Sequence, residues 1–383
     1  MFHLGIGRKP DGWQPWPMLY RWIRTVMLVA TGLSAVSVRA WDYEGHRVVN
    51  QLALASLPKE FPGFVTATEA AERIAFLAGE PDRWRNSPDL PLKHFNAPDH
   101  FFDIEDLAPH GLTLEGLSPF RYEFTAQLAA GRAEHPDAVP KVDPKRNNDQ
   151  TRQLVGFLPW SITEQYGKLK SGFSYLKAFE QHGTPEEIAN AKANIVYIMG
   201  VMGHYVGDAA QPLHTTRHYN GWVGENPKGY TTANSFHSWI DGGFNRRTGM
   251  SFESLQGRVR PAKPLFDTVA PPNKPHEVFP LVVGLVKDGF AKVEPLYQLQ
   301  KDGKLEPGTD GAKEGRAFLD GLQKDGKLEP GTDGAKEGRA FLDGQLLSAG
   351  QMLGDLWLTA WREAPEDKYL TGQLITRKNG GKE

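Results

Sequence analysis

Apolar residues recur at intervals of three and four over long stretches of this chain, at residues 45–57, 67–78, 152–179, 185–210, 280–298 and 345–363. That period lines one face of a helix, and the alternation expected of strands is scarce. Proline and glycine gather between these stretches, at 88–91, 136–144, 218–230 and 259–275, which predicts long ordered loops on a helical scaffold. The expected fold is therefore all-α, a single mainly helical domain. With 383 residues, 39% of them hydrophobic, the chain can build a sizeable core. It has no cysteine, so neither a disulfide nor a thiolate ligand is available, and any bound metal must rely on His, Asp or backbone.

The first 40 residues read as a removable leader. Arg21 and Arg24 precede an apolar run over 25–38, and Val38, Arg39 and Ala40 put small residues at the two positions a signal peptidase reads. The run is shorter than the roughly 20 apolar residues a membrane-spanning helix needs, so cleavage is expected rather than a retained anchor. Export, to the periplasm or the medium, follows, and residues 41–383 remain as the working domain without an integral membrane segment. Cleavage after Ala40 makes Trp41 the new N-terminus. A free α-amino group titrates near pH ~8, far below lysine, and its lone pair is a possible metal ligand.

Residues 299–321 recur without one change at 322–344. Two identical copies do not make a solenoid, which needs at least three diverged units with capped ends. The repeat is read as a tandem duplication within a surface connection. Lys and Arg number 44 against 46 Asp and Glu, and no basic run marks the footprint of a duplex-DNA binder.

Chemistry concentrates in histidine and aspartate. His204 and Asp208 stand four residues apart near the end of the 185–210 helix, on one face and one turn apart. Pro212 cannot extend that helix, so the chain turns and His214 can swing back toward the same side. His237 and Asp241 repeat the i,i+4 device. The glycine-studded apolar run around His204 lets a second helix approach, and a buried imidazole there needs a partner. Upstream, Asp82 lies near Arg83 and Arg85, and His100 near Phe101 and Asp103. Each has an ordinary structural reading as well: Asp82 as a helix cap, Arg85 as a surface charge, Phe101 as a core ring and His237 as a histidine satisfied by hydrogen bonds.

Taken in order, Trp41, His46, Asp82, His100, His204, Asp208, His214, His237 and Asp241 resemble the ligand set of the trinuclear-zinc nucleases. These are the single-strand-specific, 3′-nucleotidase family related to bacterial zinc-dependent phospholipase C. The second half carries the likeness: H-x3-D-x5-H from His204 to His214, then 22 residues, then H-x3-D at His237 and Asp241. The related lipases close with glutamate after a shorter interval, so Asp241 favours the nuclease branch. His94 is an alternative to His100, which is preferred because HFFDIED resembles the family's histidine, aromatic and aspartate run. The family's glycine-rich stretch is only partly kept as Asn220, Gly221 and Trp222, and the disulfides of fungal and plant members are absent.

The resemblance implies three Zn²⁺ per chain in a cleft between helices. One is held by Asp82, His100, His204 and bridging Asp208, and a second by His214, His237 and Asp241. The third takes the Trp41 amine and carbonyl, His46 and the other oxygen of Asp208. It implies hydrolysis of single-stranded DNA and RNA, and of 3′-nucleotides, by attack of a zinc-activated hydroxide on phosphorus. Arg85 would neutralise the pentacoordinate phosphate, Phe101 would stack on an unpaired base, and Asp103 would orient the hydroxide or contact the base. A monomer with no stable protein partner is expected. A lipid-cleaving phospholipase C and a non-catalytic secreted zinc-binding protein are the competing expectations.

Overall fold

Helices begin where the sequence supplies caps. In the computed structural model, which describes residues 41–271, 274–305 and 333–380, Asp42 accepts from the Gly45 N–H at 3.2 Å and opens α1, Tyr43–Ser56. Helix α2 (Thr68–Leu77) runs almost directly into α3 (Glu80–Arg85) and then α4 (Leu90–Asn96). Helix α5 covers Arg121–Glu134, α6 Leu158–His182 and α7 Pro185–Ala210. The start of α7 is fixed twice, by Pro185 in its first turn and by a reciprocal capping box between Thr184 and Glu187. Residues 236–248 form one broken helix, α8, built from Phe236–Ser238, a π-helical turn at Trp239–Gly243, and Phe244–Thr248. Helices α9 (Phe279–Phe290), α10 (Val293–Lys301), α11 (Asp333–Glu363) and α12 (Lys368–Gly380) follow.

The all-α expectation holds: about 67% of the structure is helical and there is no sheet among the described residues, only a single bridge between Phe102 and Gly156. The described residues belong to one compact unit. None of their helices is long and apolar enough to cross a membrane. Residues 1–40, expected to be a leader, and most of the tandem repeat, 306–332, lie outside the described residues.

Three boundaries differ from the periodicity. The 152–179 segment becomes helical only at Leu158, because Gly156 adopts φ +105° and Pro159 then opens the first turn. The 280–298 segment splits at Ala291–Lys292, since Pro295 has no N–H for a carbonyl four residues back and is accommodated only in the first turn of a new helix. The last long helix begins at Asp333 rather than near 345, so the end of the second repeat copy is helical. Leu342 on it is fully buried, and that stretch is therefore not surface connection. Helices α3, α4, α5 and α12 have patterns too short or too polar to have stood out.

Helix α7 is the centre of the molecule. It packs along α6 and against α1, α2, α9 and α11. Every residue from Met199 to Ala210 is buried, as expected for a helix end apolar on all sides. Gly200, Gly203 and Gly207 make the close approach possible. A Cβ on Gly200 would lie 2.5 Å from Leu77 Cβ of α2, one on Gly203 would overlap the Asn50 side chain, and one on Gly207 would lie 2.9 Å from His46 Nδ1 of α1. Fully buried Asn50 joins the three helices, donating from Nδ2 to Ile74 O at 2.7 Å and Gly200 O at 3.0 Å. On the opposite flank Phe124 stacks on Trp160 at 4.1 Å, with Phe102 packed edge-on, which pins the turn that carries His100.

Candidate metal centre

The C-terminal turn of α7 projects His204 and Asp208 into the space between α1, α3 and the 97–102 turn. Both are fully buried. His46, one turn into α1, stacks on His204 with ring centroids 3.8 Å apart, which the absence of a side chain on Gly207 permits. His100 ends a 3-10 turn (Ala97–His100) and His214 another (Pro212–His214). The turn after Pro212 does swing His214 back: its Nδ1 lies 3.5 Å from Asp208 Oδ1.

Asp208 is the hub. His46 Nε2 is 3.5 Å from its Oδ1, while His100 Nδ1 and His204 Nε2 are 3.1 and 3.3 Å from its Oδ2. His204 Nε2 is 2.9 Å from His100 Nδ1. Beside this group, His237 Nε2 is 3.1 Å from His214 Nε2 and 2.8 Å from Asp241 Oδ2. Three sets place one donor atom from each residue within 4.8 Å of one another, all buried: His46, Asp82 and His204; His100, His204 and Asp208; His214, His237 and Asp241. These groups could hold metal ions. The π turn in α8 differs from the regular helix expected there, yet it keeps His237 and Asp241 on one side.

The donor set has the chemistry of a metal site. With Zn–N bonds of about 2.0–2.1 Å, donors around one tetrahedral zinc stand roughly 3.3 Å apart, and the 2.8–3.3 Å separations in the last two sets are close to that. His46 is fully buried, and neither ring nitrogen makes a hydrogen bond. Leaving such a group unpaired is costly, and a cation between His46, Asp82 and His204 would satisfy it. Two of these histidines are already oriented from behind. His204 Nδ1 donates to Ala78 O at 2.6 Å and His214 Nδ1 to His100 O at 2.5 Å, which leaves both Nε2 lone pairs directed into the cluster.

The electrostatics agree. Burial lowers His46 well below the usual imidazole range, with His204 adding to it, and lowers His214. Burial and the nearby Arg85 bring His100 and His237 to about 3. These imidazoles are neutral, as ligands must be. Burial pushes Asp208 up, but His214, His204 and the hydrogen bonds from His100 and His204 outweigh it and hold the carboxyl well below its ordinary range. The same balance, dominated on the lowering side by Arg85, puts Asp82 at about 2. Burial lowers His204, yet its pairing with Asp208 wins and raises it. Asp241 goes the other way, pushed well up by burial.

Each residue expected at the site can now be placed. His46, Asp82, His100, His204, Asp208, His214, His237 and Asp241 converge, and Asp82 sits inside α3 rather than capping it. Trp41 is fully buried, and its indole donates to Gly207 O at 3.0 Å, the residue before Asp208, while the Asp42 N–H reaches Asp241 O at 3.1 Å. Trp41 and Asp42 are thus anchored against α7 and α8. Arg85 Nε lies 2.7 Å from Asp82 Oδ1. Phe101 is half-buried, and Asp103 is buried with its carboxyl pushed well up by burial and by neighbouring Asp106 and Glu105. His94 stays at the surface, bonded to Asp149 O, away from the cluster. Asn50 and Gln211 organise the site and were not singled out in the sequence. The signal was available for Gln211, a polar residue immediately ahead of a helix-ending proline and between two ligands. No family model, curated protein or solved structure matches the chain.

Proposed function

We propose that the chain is an exported zinc-dependent phosphodiesterase that hydrolyses single-stranded DNA and RNA to 5′-mononucleotides and removes phosphate from 3′-nucleotides. The observation that carries the reading is the convergence of five buried histidines and three buried aspartates on the C-terminal turn of α7, with His46 otherwise unpaired. Three zinc ions bound there would supply Lewis acidity and bring the pKa of water from 15.7 to about 7, which suits hydrolysis of a phosphodiester without a protein nucleophile.

The chain's own residues divide the remaining work. Asp208 offers one oxygen toward His46 and His214 and the other toward His100 and His204, the arrangement a bridging ligand needs. The Trp41 indole bond to Gly207 O ties this residue to the turn that carries Asp208, so cleavage after Ala40 would free its α-amino group on that anchored residue. Arg85, oriented by Asp82, provides positive charge for a phosphate at the cluster. Phe101 offers a ring on which an unpaired base can stack, worth roughly 1–3 kcal/mol, and duplex bases cannot reach it. Asp103, whose carboxyl is pushed up by burial and by Asp106 and Glu105, contacts that base.

The test is mononucleotide release from single-stranded DNA, RNA and duplex DNA by the chain beginning at Trp41, before and after chelation and zinc readdition. Turnover on single strands, lost to chelator and restored by zinc, is expected. Zinc-dependent cleavage of phosphatidylcholine with none of polynucleotide would replace the reading with the lipid one, and zinc binding without hydrolysis of either would leave a binding protein.

A further inference from the structure

Gln211 follows the last residue of α7 and is fully buried. Every polar group it owns is engaged. Its N–H donates to Asp208 O at 3.0 Å and its carbonyl accepts from the His214 N–H at 3.0 Å. Its side-chain Oε1 accepts from the Leu213 N–H at 2.8 Å, and its Nε2 donates to Asp241 Oδ1. The amide orientation is settled by its partners: the Leu213 N–H can only donate, so the oxygen faces it and the NH₂ faces the carboxylate. One residue therefore touches Asp208, His214 and Asp241, which come from both sides of the cluster.

We propose that Gln211 is a positioning residue that commits Asp241 Oδ1 and leaves Oδ2 alone to face the metal position shared with His214 and His237. The inference rests on the metal-centre reading above. Asp241 Oδ2 lies 2.8 Å from His237 Nε2 and makes no hydrogen bond of its own, so the amide has divided the carboxylate into a held oxygen and a presented one. A carboxylate free to rotate in this buried space would lose that presentation, and partners that orient a ligand are typically worth about 10–100-fold in metal affinity.

The test is a zinc titration of the chain beginning at Trp41 against a chromophoric competitor, in wild type, Gln211→Met and Gln211→Glu. Methionine keeps the volume and removes both side-chain bonds. Glutamate keeps the acceptor for the Leu213 N–H and replaces the donor to Asp241 with a second carboxyl oxygen, so it perturbs that contact with the turn intact if Gln211→Met disturbs the turn. Both variants are expected to weaken one ion by about 10–100-fold and to hold the other two within about twofold of wild type. In an Asp241→Asn background, Gln211→Met should cost less than about threefold more, because the residue it acts through is already altered. Retention of every ion at wild-type affinity by either variant overturns the proposal, as does equal weakening of all ions. Wild-type protein that binds no zinc at all would instead overturn the metal-centre reading on which it stands.

Discussion

Gly200→Ala tests whether the close approach of α2 to α7 positions the centre. The new Cβ would stand 2.5 Å from Leu77 Cβ and 2.9 Å from Ile74 O, against about 3.5–4.0 Å for a normal carbon contact. Neither neighbour can rotate away, one being a Cβ and the other backbone, so α2 must retreat by about 1 Å. Alanine gains about 1 kcal/mol of helix propensity over glycine, while overpacking of this kind costs typically 1–3 kcal/mol, toward the upper end where no rotamer offers relief. The expected net loss is about 2 kcal/mol. With an unfolding entropy of about 2.1 cal/mol/K per residue over roughly 340 residues, that lowers the melting temperature by about 3 °C. The displaced α2 also ends at Ala78, whose carbonyl holds His204, and leads into α3 with Asp82, so zinc affinity should fall with stability. Gly167→Ala at an exposed position of α6 is the control, because a Cβ there meets nothing within 4 Å and should stabilise by about 0.5–1 kcal/mol. Chemical denaturation and zinc content of both variants decide it. A Gly200→Ala protein as stable as Gly167→Ala with wild-type zinc content would refute the packing argument.

Asp208→Asn should lower zinc content by more than one ion and cut turnover by more than about a hundredfold, because the side chain that faces His46 with one oxygen and His100 with the other loses its charge and one of those two oxygens and can no longer bridge; elemental analysis and a single-strand assay check it. A chain that keeps Ala40 ahead of Trp41 has a peptide nitrogen in place of the amine and should bind at least one zinc about tenfold or more weakly, measured by competition with a chelator. Burial, aided by Arg217, lowers His218 to about 4, below the imidazole's ordinary 6.5. The unfolded chain therefore takes up this proton more readily, and the stability contributed by neutral His218 declines as pH falls from about 6.5 toward 4. Its Nδ1 accepts from the Val223 N–H and its ring stacks on Trp222 at 3.9 Å, so tryptophan fluorescence should change with a midpoint near pH 4 and the change should vanish in His218→Gln.

Much of this molecule could be read from periodicity and spacing. The end of α7 was legible because Pro212 stops it, and its burial because residues 198–203 are apolar and small on every side. The i,i+4 pairs picked out four members of the cluster since helix geometry makes such residues neighbours whatever the tertiary fold. Asp82 and His100 were harder, for they sit on a six-residue helix and a 3-10 turn that have no period to read. His100 rather than His94 reaches the cluster for a physical reason the sequence conceals: Phe102 packs into the Phe124 and Trp160 cluster and draws His100 inward, while His94 bonds to a surface carbonyl. The split between α9 and α10 was missed because apolar spacing continues across it, and only Pro295 marks the break. Gln211 and Asn50 were invisible as organisers, since their value lies in carbonyls and carboxylates contributed by distant segments.

Crystals of the chain beginning at Trp41, grown with zinc and measured on both sides of the zinc absorption edge, test the central claim directly. Three anomalous peaks are expected, one within each of the groups at Asp208 and His100, at His214 and Asp241, and at His46 and the Trp41 amine. No peak there, or zinc bound only at surface residues in protein that still hydrolyses single strands, would contradict it.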